Sequence, residues 1–244
     1  NYGIEFWMCT LNTTDDMQYR MTHGVDGIIT DYPQDLICLH TLFGNSVLVG
    51  HWDFDDGSGI NLTDITGNLT NGIVYNGSCT VGKSVGGLNF NGTNTYVGLP
   101  MSNPLNIAGD AVSISAWVNL DVLPSNMSQS FGPIYDSDLD SYILYLDKTN
   151  AELRFKVTDV SGDAERPGIP ENLLSTGSWH HIAGVYNGHN AMIYLDGALI
   201  DYHSNSNLDN LLTGQTAEIG RNNGSYFNGQ LDEIRVYNRA LGPN

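Results

Sequence analysis

From Val47 onward, apolar and polar residues alternate with a period of two, in short runs broken by turn residues. That is the spacing of half-buried strands, because successive side chains of an extended chain point to opposite faces. Val47-Leu-Val-Gly-His-Trp-Asp-Phe54 makes the first run and Asp55-Asp-Gly-Ser-Gly59 a turn, while Gly86 to Val97 reads as a hairpin about Asn91-Gly92. Ala111 to Leu120 puts Val112, Ile114, Ala116 and Val118 on one face. Tyr142 to Leu146 and Glu152 to Val157 flank a Lys148-Thr149-Asn150 turn, and Trp179 to Gly188, Ala191 to Gly197 and Leu231 to Tyr237 complete the set. About a dozen short strands with Asn-Gly and Asp-Gly turns predict an antiparallel two-sheet sandwich for residues 46–244.

Residues 1–45 follow a different pattern. Gly3 to Leu11 is strand-like, Asn12 or Thr13 caps a helix with acids in its first turn, and Gly24 ends it. Val25 to Thr30 is a second strand, and Pro33 opens a helix carrying Leu36, Ile37, Leu39, Leu42 and Phe43. Such alternation belongs to a parallel α/β sheet, yet about 45 residues are too few to close one. The fold class expected is therefore mainly β, a sandwich with a short N-terminal α/β segment, and the chain reads as a piece of something longer.

Charge narrows the partners. The 244 residues carry 27 acidic side chains against 9 basic ones, a formal net charge of -18. Nucleic acid and anionic membranes both need a basic surface, so neither is expected as a partner, and divalent cations are the natural counter-charge. No apolar run reaches transmembrane length, and the opening residues lack a signal-peptide pattern. Cys9, Cys38 and Cys79 have no metal-binding spacing; they read as small buried residues, or as a Cys9–Cys38 bridge with Cys79 left over. Asn-x-Ser/Thr sequons occur at Asn12, Asn61, Asn68, Asn76, Asn91, Asn126 and Asn223. In a secreted chain these are glycosylation candidates, though an Asn- and Thr-rich sequence also makes sequons by chance.

Two resemblances add expectations. Trp52-x-Phe54-Asp55-Asp56, Leu88-x-Phe90-Asn91-Gly92, Ser113-x-Ser115-Ala116-Trp117-Val118, Gly177 to Tyr186, Tyr194-Leu-Asp-Gly197, Ile219-Gly220 and Leu231-Asp-Glu-Ile-Arg-Val-Tyr237 resemble the laminin-G-like, concanavalin A-like jelly rolls. The resemblance implies an extracellular or cell-surface domain that often holds structural Ca²⁺ and sometimes binds glycans. Trp7 to Asn12 followed by Gly24-Val-Asp-Gly-Ile-Ile-Thr-Asp-Tyr-Pro33 resembles the last two βα units of the glycerophosphodiester phosphodiesterase barrel. In that family the acid/base histidines and most metal-holding carboxylates come from earlier strands, which nothing here matches. Trp7 alone fits a substrate-side position.

The candidate chemistry is recognition. Regular alternation puts Asp232 on the face of Ile234 and Val236, and an inward carboxylate needs a partner. A hard cation with Asp232, Asp55 and Asp64 as ligands would serve, with Asp53 and Asp56 close in sequence; hydrogen bonds from a neighbouring turn would also satisfy Asp232. His180 and His181 point to opposite faces and read as residues of packing and local hydrogen bonds, and the serines sit in turns without a positioned base. Glu152, Glu165, Glu171, Glu218 and Glu233 are scattered singly, without the facing pair a glycosidase uses. No catalytic constellation is complete in the chain, so it is expected not to be an enzyme, although a parent protein could be a phosphodiesterase.

Trp52, Trp117 and Trp179 fall within the core motifs. The ligand-binding candidates are therefore aromatic and polar residues expected in loops: Tyr135, Tyr202, Tyr226 and Phe227, with Asn222 and the Asp136-Ser-Asp138-Leu-Asp140 segment. The expected function is a calcium-stabilised binding module for a glycan or cell-surface protein. The alternatives are a self-assembling structural or adhesive subunit and a non-catalytic fragment of a secreted phosphodiesterase.

Overall fold

The computed structural model describes residues 48–242 apart from Ser58, Leu69, 101–104, Ala108, 138–140, 206–207, Asp209 and 213–215. The chain divides into two compact units, Asn1–Ser46 and Val47–Asn244. The expectations for the α/β segment, the phosphodiesterase-like motifs, Trp7, Cys9, Asn12 and Cys38 lie outside the described residues.

Two antiparallel sheets hold almost all of the strands described in the second unit. The first runs β15 (Ala198–Ser204), β14 (Asn190–Leu195), β13 (Trp179–Tyr186), β7 (Val112–Leu120), β19 (Asn228–Tyr237), β5 (Gly86–Asn91) and β4 (Ser78–Val81), with β1 (Leu48–Trp52) also paired to β19. The second runs β11 (Ala164–Glu165), β10 (Glu152–Thr158), β9 (Tyr142–Asp147), β8 (Phe131–Ser137), β16 (Ala217–Ile219), β6 (Tyr96–Leu99), β3 (Gly72–Tyr75) and β2 (Asn61–Leu62), with β12 (Gly168–Pro170) on β10. A small hairpin, β17 (Arg221–Asn222) and β18 (Ser225–Tyr226), completes the set. This is the jelly-roll sandwich the alternation predicts. Among the described residues no helix is long and apolar enough to cross a membrane.

The inward side chains of the two sheets meet in one core. From β7 come Val112, Ile114, Ala116, Val118 and Leu120, and from β10 Leu153, Phe155 and Val157, all buried. The sheets approach tightly where Gly184 of β13 faces Phe155: a Cβ there would stand 2.3 Å from the ring. Trp52 is fully buried, and its indole N–H donates to the Thr70 carbonyl at 3.0 Å, giving its one polar atom a partner.

Four local expectations are corrected. Asn91-Gly92 is not a hairpin, because β5 and β6 lie in different sheets. The Asn91 Oδ1 accepts the Thr93, Asn94 and Thr95 N–H groups and the Thr93 hydroxyl, winding a corner that carries the chain between sheets. Cys79 is exposed on β4 instead of buried. Trp117 pairs outward from β7, with the Lys83 ammonium 4.5 Å from its ring, and so stays out of the core.

Asp232 is the fourth. A β-bulge lies between Asp232 and Arg235, with Glu233 at φ 52°, and Asp232 stands opposite Trp117 while Leu231 stands opposite Val118. Directly paired residues share a face. The bulge thus slips the alternation by one, so Leu231 and Ile234 both face the core and Asp232 faces outward with Trp117.

Candidate functional site

Three loops converge where the corner after β5 meets the connection before β8 and the β17–β18 hairpin. Gln129 fastens them: its amide N–H donates to the Gly92 carbonyl at 2.7 Å, and its Oε1 accepts the Tyr226 N–H at 2.8 Å. Between them lies a cavity of about 230 Å³ lined by Asn91, Asn126, Gln129, Phe131, Tyr226 and Asn228 among others. No lining residue is charged. Two aromatic faces beside amide groups are the chemistry that grips a sugar ring, since rings meet its C–H face while amides exchange hydrogen bonds with its hydroxyls.

An aromatic strip extends the site along the second sheet. Tyr75 and Tyr96 are directly paired across β3 and β6 and stack at 4.4 Å, and Tyr96 lies 6.5 Å from Tyr226. The Arg221 guanidinium sits 3.7 Å above the Tyr96 ring and forms an ion pair with Glu218, whose hydrogen bonds raise the arginine pKa further. The sequence motifs did not flag Tyr75, Tyr96, Gln129 or Phe131. Asn126 was flagged only as a sequon and Asn91 as a sequon and turn residue, because loop neighbourhood depends on which strands pair.

The expected ligand-binding residues fall into three groups. Tyr226 lines the cavity, and close by Asn222 donates to Asp136 Oδ2 at 2.6 Å, tying the hairpin down onto β8. Tyr202 is exposed, but on β15 of the other sheet. Tyr135 and Phe227 are corrected. Tyr135 is fully buried within β8, stacked on Tyr142, and burial pushes its hydroxyl pKa well up; Phe227 is fully buried edge-on to Phe90 at 5.8 Å. Both point into the sandwich, which their position at sequence gaps between apolar runs did not reveal. Asp138 and Asp140 lie outside the described residues.

A second cleft, of about 390 Å³, is lined by Glu152, Arg154, Glu165, Arg166, Asp201 and His203. Its charges largely satisfy one another: Arg154 pairs with Glu152 at 2.7 Å, His203 with Glu165 at 2.9 Å, and Asp201 accepts the Gly168 N–H at 3.0 Å. That leaves less for a ligand than the neutral cavity offers.

The acids proposed for a cation also separate. Asp64 is saturated, accepting the His51, Thr66 and Thr70 N–H groups and both threonine hydroxyls. Burial would raise its pKa, yet these bonds outweigh it and hold the carboxyl below its usual value. Asp64 thus builds the 64–70 turn and is corrected as a metal ligand. Asp56 is likewise spent on Thr63, through the backbone N–H at 2.8 Å and the hydroxyl at 2.7 Å.

Asp232 differs. It is fully buried under the 82–86 turn, with Oδ2 accepting the Ser84 N–H at 2.9 Å and Oδ1 without any hydrogen-bond partner. Burial, with the Glu233 charge, pushes its pKa up to about 6 against the pull of the Ser84, Lys83 and Glu233 backbone N–H groups. Asp55 reaches the same turn, accepting the Gly86 N–H at 2.6 Å, and a Cβ on Gly86 would lie 2.5 Å from the Phe54 carbonyl oxygen. Two carboxylates and main-chain oxygens around one turn fit a hard cation's donor set. Among the described residues no group of three or more His, Cys, Asp or Glu side chains could hold a metal ion, so main-chain oxygens would have to complete the shell.

One arrangement gives His180 local hydrogen bonds and sets it beside a serine. His180 lies between Ser175 and Asp196, with Ser175 Oγ 2.8 Å from Nε2 and Asp196 Oδ2 2.9 Å from Nδ1. Asp196 arrives from the turn after β14, so only strand pairing brings it to the histidine.

Comparison with known proteins agrees with this architecture. Residues 91–244 match the family described as the concanavalin A-like lectin/glucanases superfamily. Among solved structures, the binding domain of Paraclostridial Mosquitocidal Protein 1 aligns with TM-score 0.67 at 18% identity, covering 80% of this chain and 50% of that one. The botulinum neurotoxin serotype D ligand-binding domain in complex with N-acetylneuraminic acid aligns with TM-score 0.65 at 14% identity, covering 81% and 48%. The botulinum neurotoxin DC binding domain in complex with SialylT gives TM-score 0.63 at 16% identity, covering 82% and 50%. The chain thus spans about half the length of these structures, and identities this low speak to fold alone. No curated protein matches the chain.

Proposed function

The chain belongs to the concanavalin A-like lectin/glucanases superfamily, and on that footing we propose that it is an extracellular or cell-surface module that binds the neutral sugars of a glycan. The observation that carries this is the cavity fastened by Gln129, where Phe131 and Tyr226 stand among Asn91, Asn126 and Asn228 with no charged side chain in the lining. A chain of net charge -18 repels anionic ligands at long range, so neutral residues of a glycan are favoured over sialylated ones. That two fold neighbours are described in complex with N-acetylneuraminic acid or SialylT supports glycan recognition on this scaffold, not a shared ligand.

Calcium belongs to the proposal as a structural ion beside Asp232 and Asp55. It would supply the charge that the buried Asp232 lacks and brace the 82–86 turn against β19. The role is recognition and not glycoside cleavage.

A glycan array read with the wild-type chain and with Tyr226→Ala and Gln129→Ala tests the site. Binding to neutral structures, lost in both variants, is the expected result. Signal confined to sialylated glycans, or unchanged in the variants, refutes it. The reading as a structural or adhesive subunit has one observation in its favour: the terminal strand β4 and its following turn expose Cys79, Val81 and Val85. A blank array together with concentration-dependent oligomers would favour it.

A further inference from the structure

We propose that Ser175, His180 and Asp196 form an acyl-transfer site that cleaves short-chain carboxylic esters. Each group sits at the end of a different ordered element. Ser175 follows the buried Leu174, His180 is the second residue of β13, and Asp196 opens the Asp196-Gly197 turn between β14 and β15, with φ 49° and 85° at its two residues. The nucleophile, base and orienting carboxylate are recognised by such geometry and not by order along the chain.

The carboxylate is doubly held. Its Oδ2 faces His180 Nδ1 at 2.9 Å, and its Oδ1 accepts the His181 N–H at 2.8 Å, so it cannot rotate away from the ring. Burial raises the Asp196 pKa, but these two bonds outweigh it and hold the carboxyl below its usual value. An ionised acceptor at Nδ1 places the imidazole proton there and leaves the Nε2 lone pair toward Ser175 Oγ, 2.8 Å away. The hydroxyl therefore donates to the base, the pairing a nucleophilic serine requires.

The chemistry closes on these groups and water. Ser175 Oγ adds to the ester carbonyl as its proton passes to His180 Nε2. The C–O bond to the alcohol breaks, and the alcohol leaves with that proton. Water, deprotonated in turn by His180, attacks the acyl-serine and releases the carboxylic acid, restoring Ser175. The His180 side chain is 16% exposed and that of Asp196 50%, and neither cleft described above includes Ser175. An acetyl ester is a small substrate that reports this chemistry.

The test uses the whole chain. A fluorophosphonate should add one equivalent, mapped to Ser175 by peptide mass, and p-nitrophenyl acetate should be hydrolysed at least about 100-fold faster than by Ser175→Ala, the low end of what a positioned base supplies. Asp196→Asn, which keeps the serine but reverses the tautomer, should lose most of that rate. Absence of label on Ser175 in the wild-type chain, or equal hydrolysis by wild type and Ser175→Ala, overturns the proposal. The mapping needs no variant to fold, so a purely structural hydrogen-bond chain is distinguishable.

Discussion

Replacing Asp232 by Asn removes one charge from a site that carries an orphaned oxygen. The wild-type carboxyl is raised from 3.8 to about 6, chiefly by burial, so its ionised form is disfavoured in the folded chain. Between these values the native state holds a proton that the unfolded chain has released, and stability falls as pH rises through that window. A displacement of about two units is worth roughly 3 kcal/mol at pH 8. Asn, like the protonated acid, avoids that cost, and the figure is already net of the hydrogen bonds that favour the carboxylate. A gain of about 3 kcal/mol corresponds to roughly 6–12 °C in a domain of this size. The assay is a calorimetric melt in chelator from pH 4 to pH 8. Asp232→Asn should melt above wild type at pH 8, and the gap should close toward pH 4, where both side chains are neutral. Added Ca²⁺ should raise the wild type and leave the variant unmoved, since a ligand that binds only the folded state stabilises it. A variant that melts below wild type at pH 8 in chelator would refute the reasoning, because Asp232 would then be a satisfied carboxylate.

Gly184→Ala should lower stability by about 1–3 kcal/mol, since its Cβ would press on the Phe155 ring across the sandwich; denaturant midpoints check it, and an unchanged midpoint would show slack between the sheets. Asp64→Asn turns an amide N–H toward donors and should cost about 1–3 kcal/mol. Because the folded Asp64 pKa is lowered, its contribution is complete above the unfolded value and is lost as pH falls through the folded one. The wild-type advantage in melting temperature should therefore shrink on acidification. In a glycosylating host, site-resolved mass spectrometry should find occupancy at the exposed Asn61, Asn126 and Asn223. It should be low at Asn68, Asn76 and Asn91, whose side-chain N–H groups already donate to Leu48, to the Asn94 carbonyl and to Asn94 Oδ1.

The period-two alternation was sufficient to identify two stacked sheets, because a pleated strand with one dry face must place its apolar residues at every second position. The β9–β10 hairpin was equally legible: the Asp147 Oδ1 accepts the Thr149 N–H at 2.9 Å, a local bond written into consecutive residues. The ligand site was legible only in part, with Tyr226 in the cavity and Asn222 beside it while Tyr135 and Phe227 turned inward. Their direction depends on which strand each residue joins, and near element ends a shift of one position reverses it.

What the chain alone determined, then, is the layered β architecture, the acidic surface and the local turns, all properties of residues within a few positions of one another. Tertiary structure decided the rest. The Asn91 corner between sheets, the bulge that turns Asp232 outward, the cavity closed by Gln129 and the Ser175–His180–Asp196 alignment each join stretches far apart in sequence. Such contacts depend on strand pairing and register across the whole sandwich, and a one-residue slip anywhere along a strand would remake them while leaving its composition and periodicity the same.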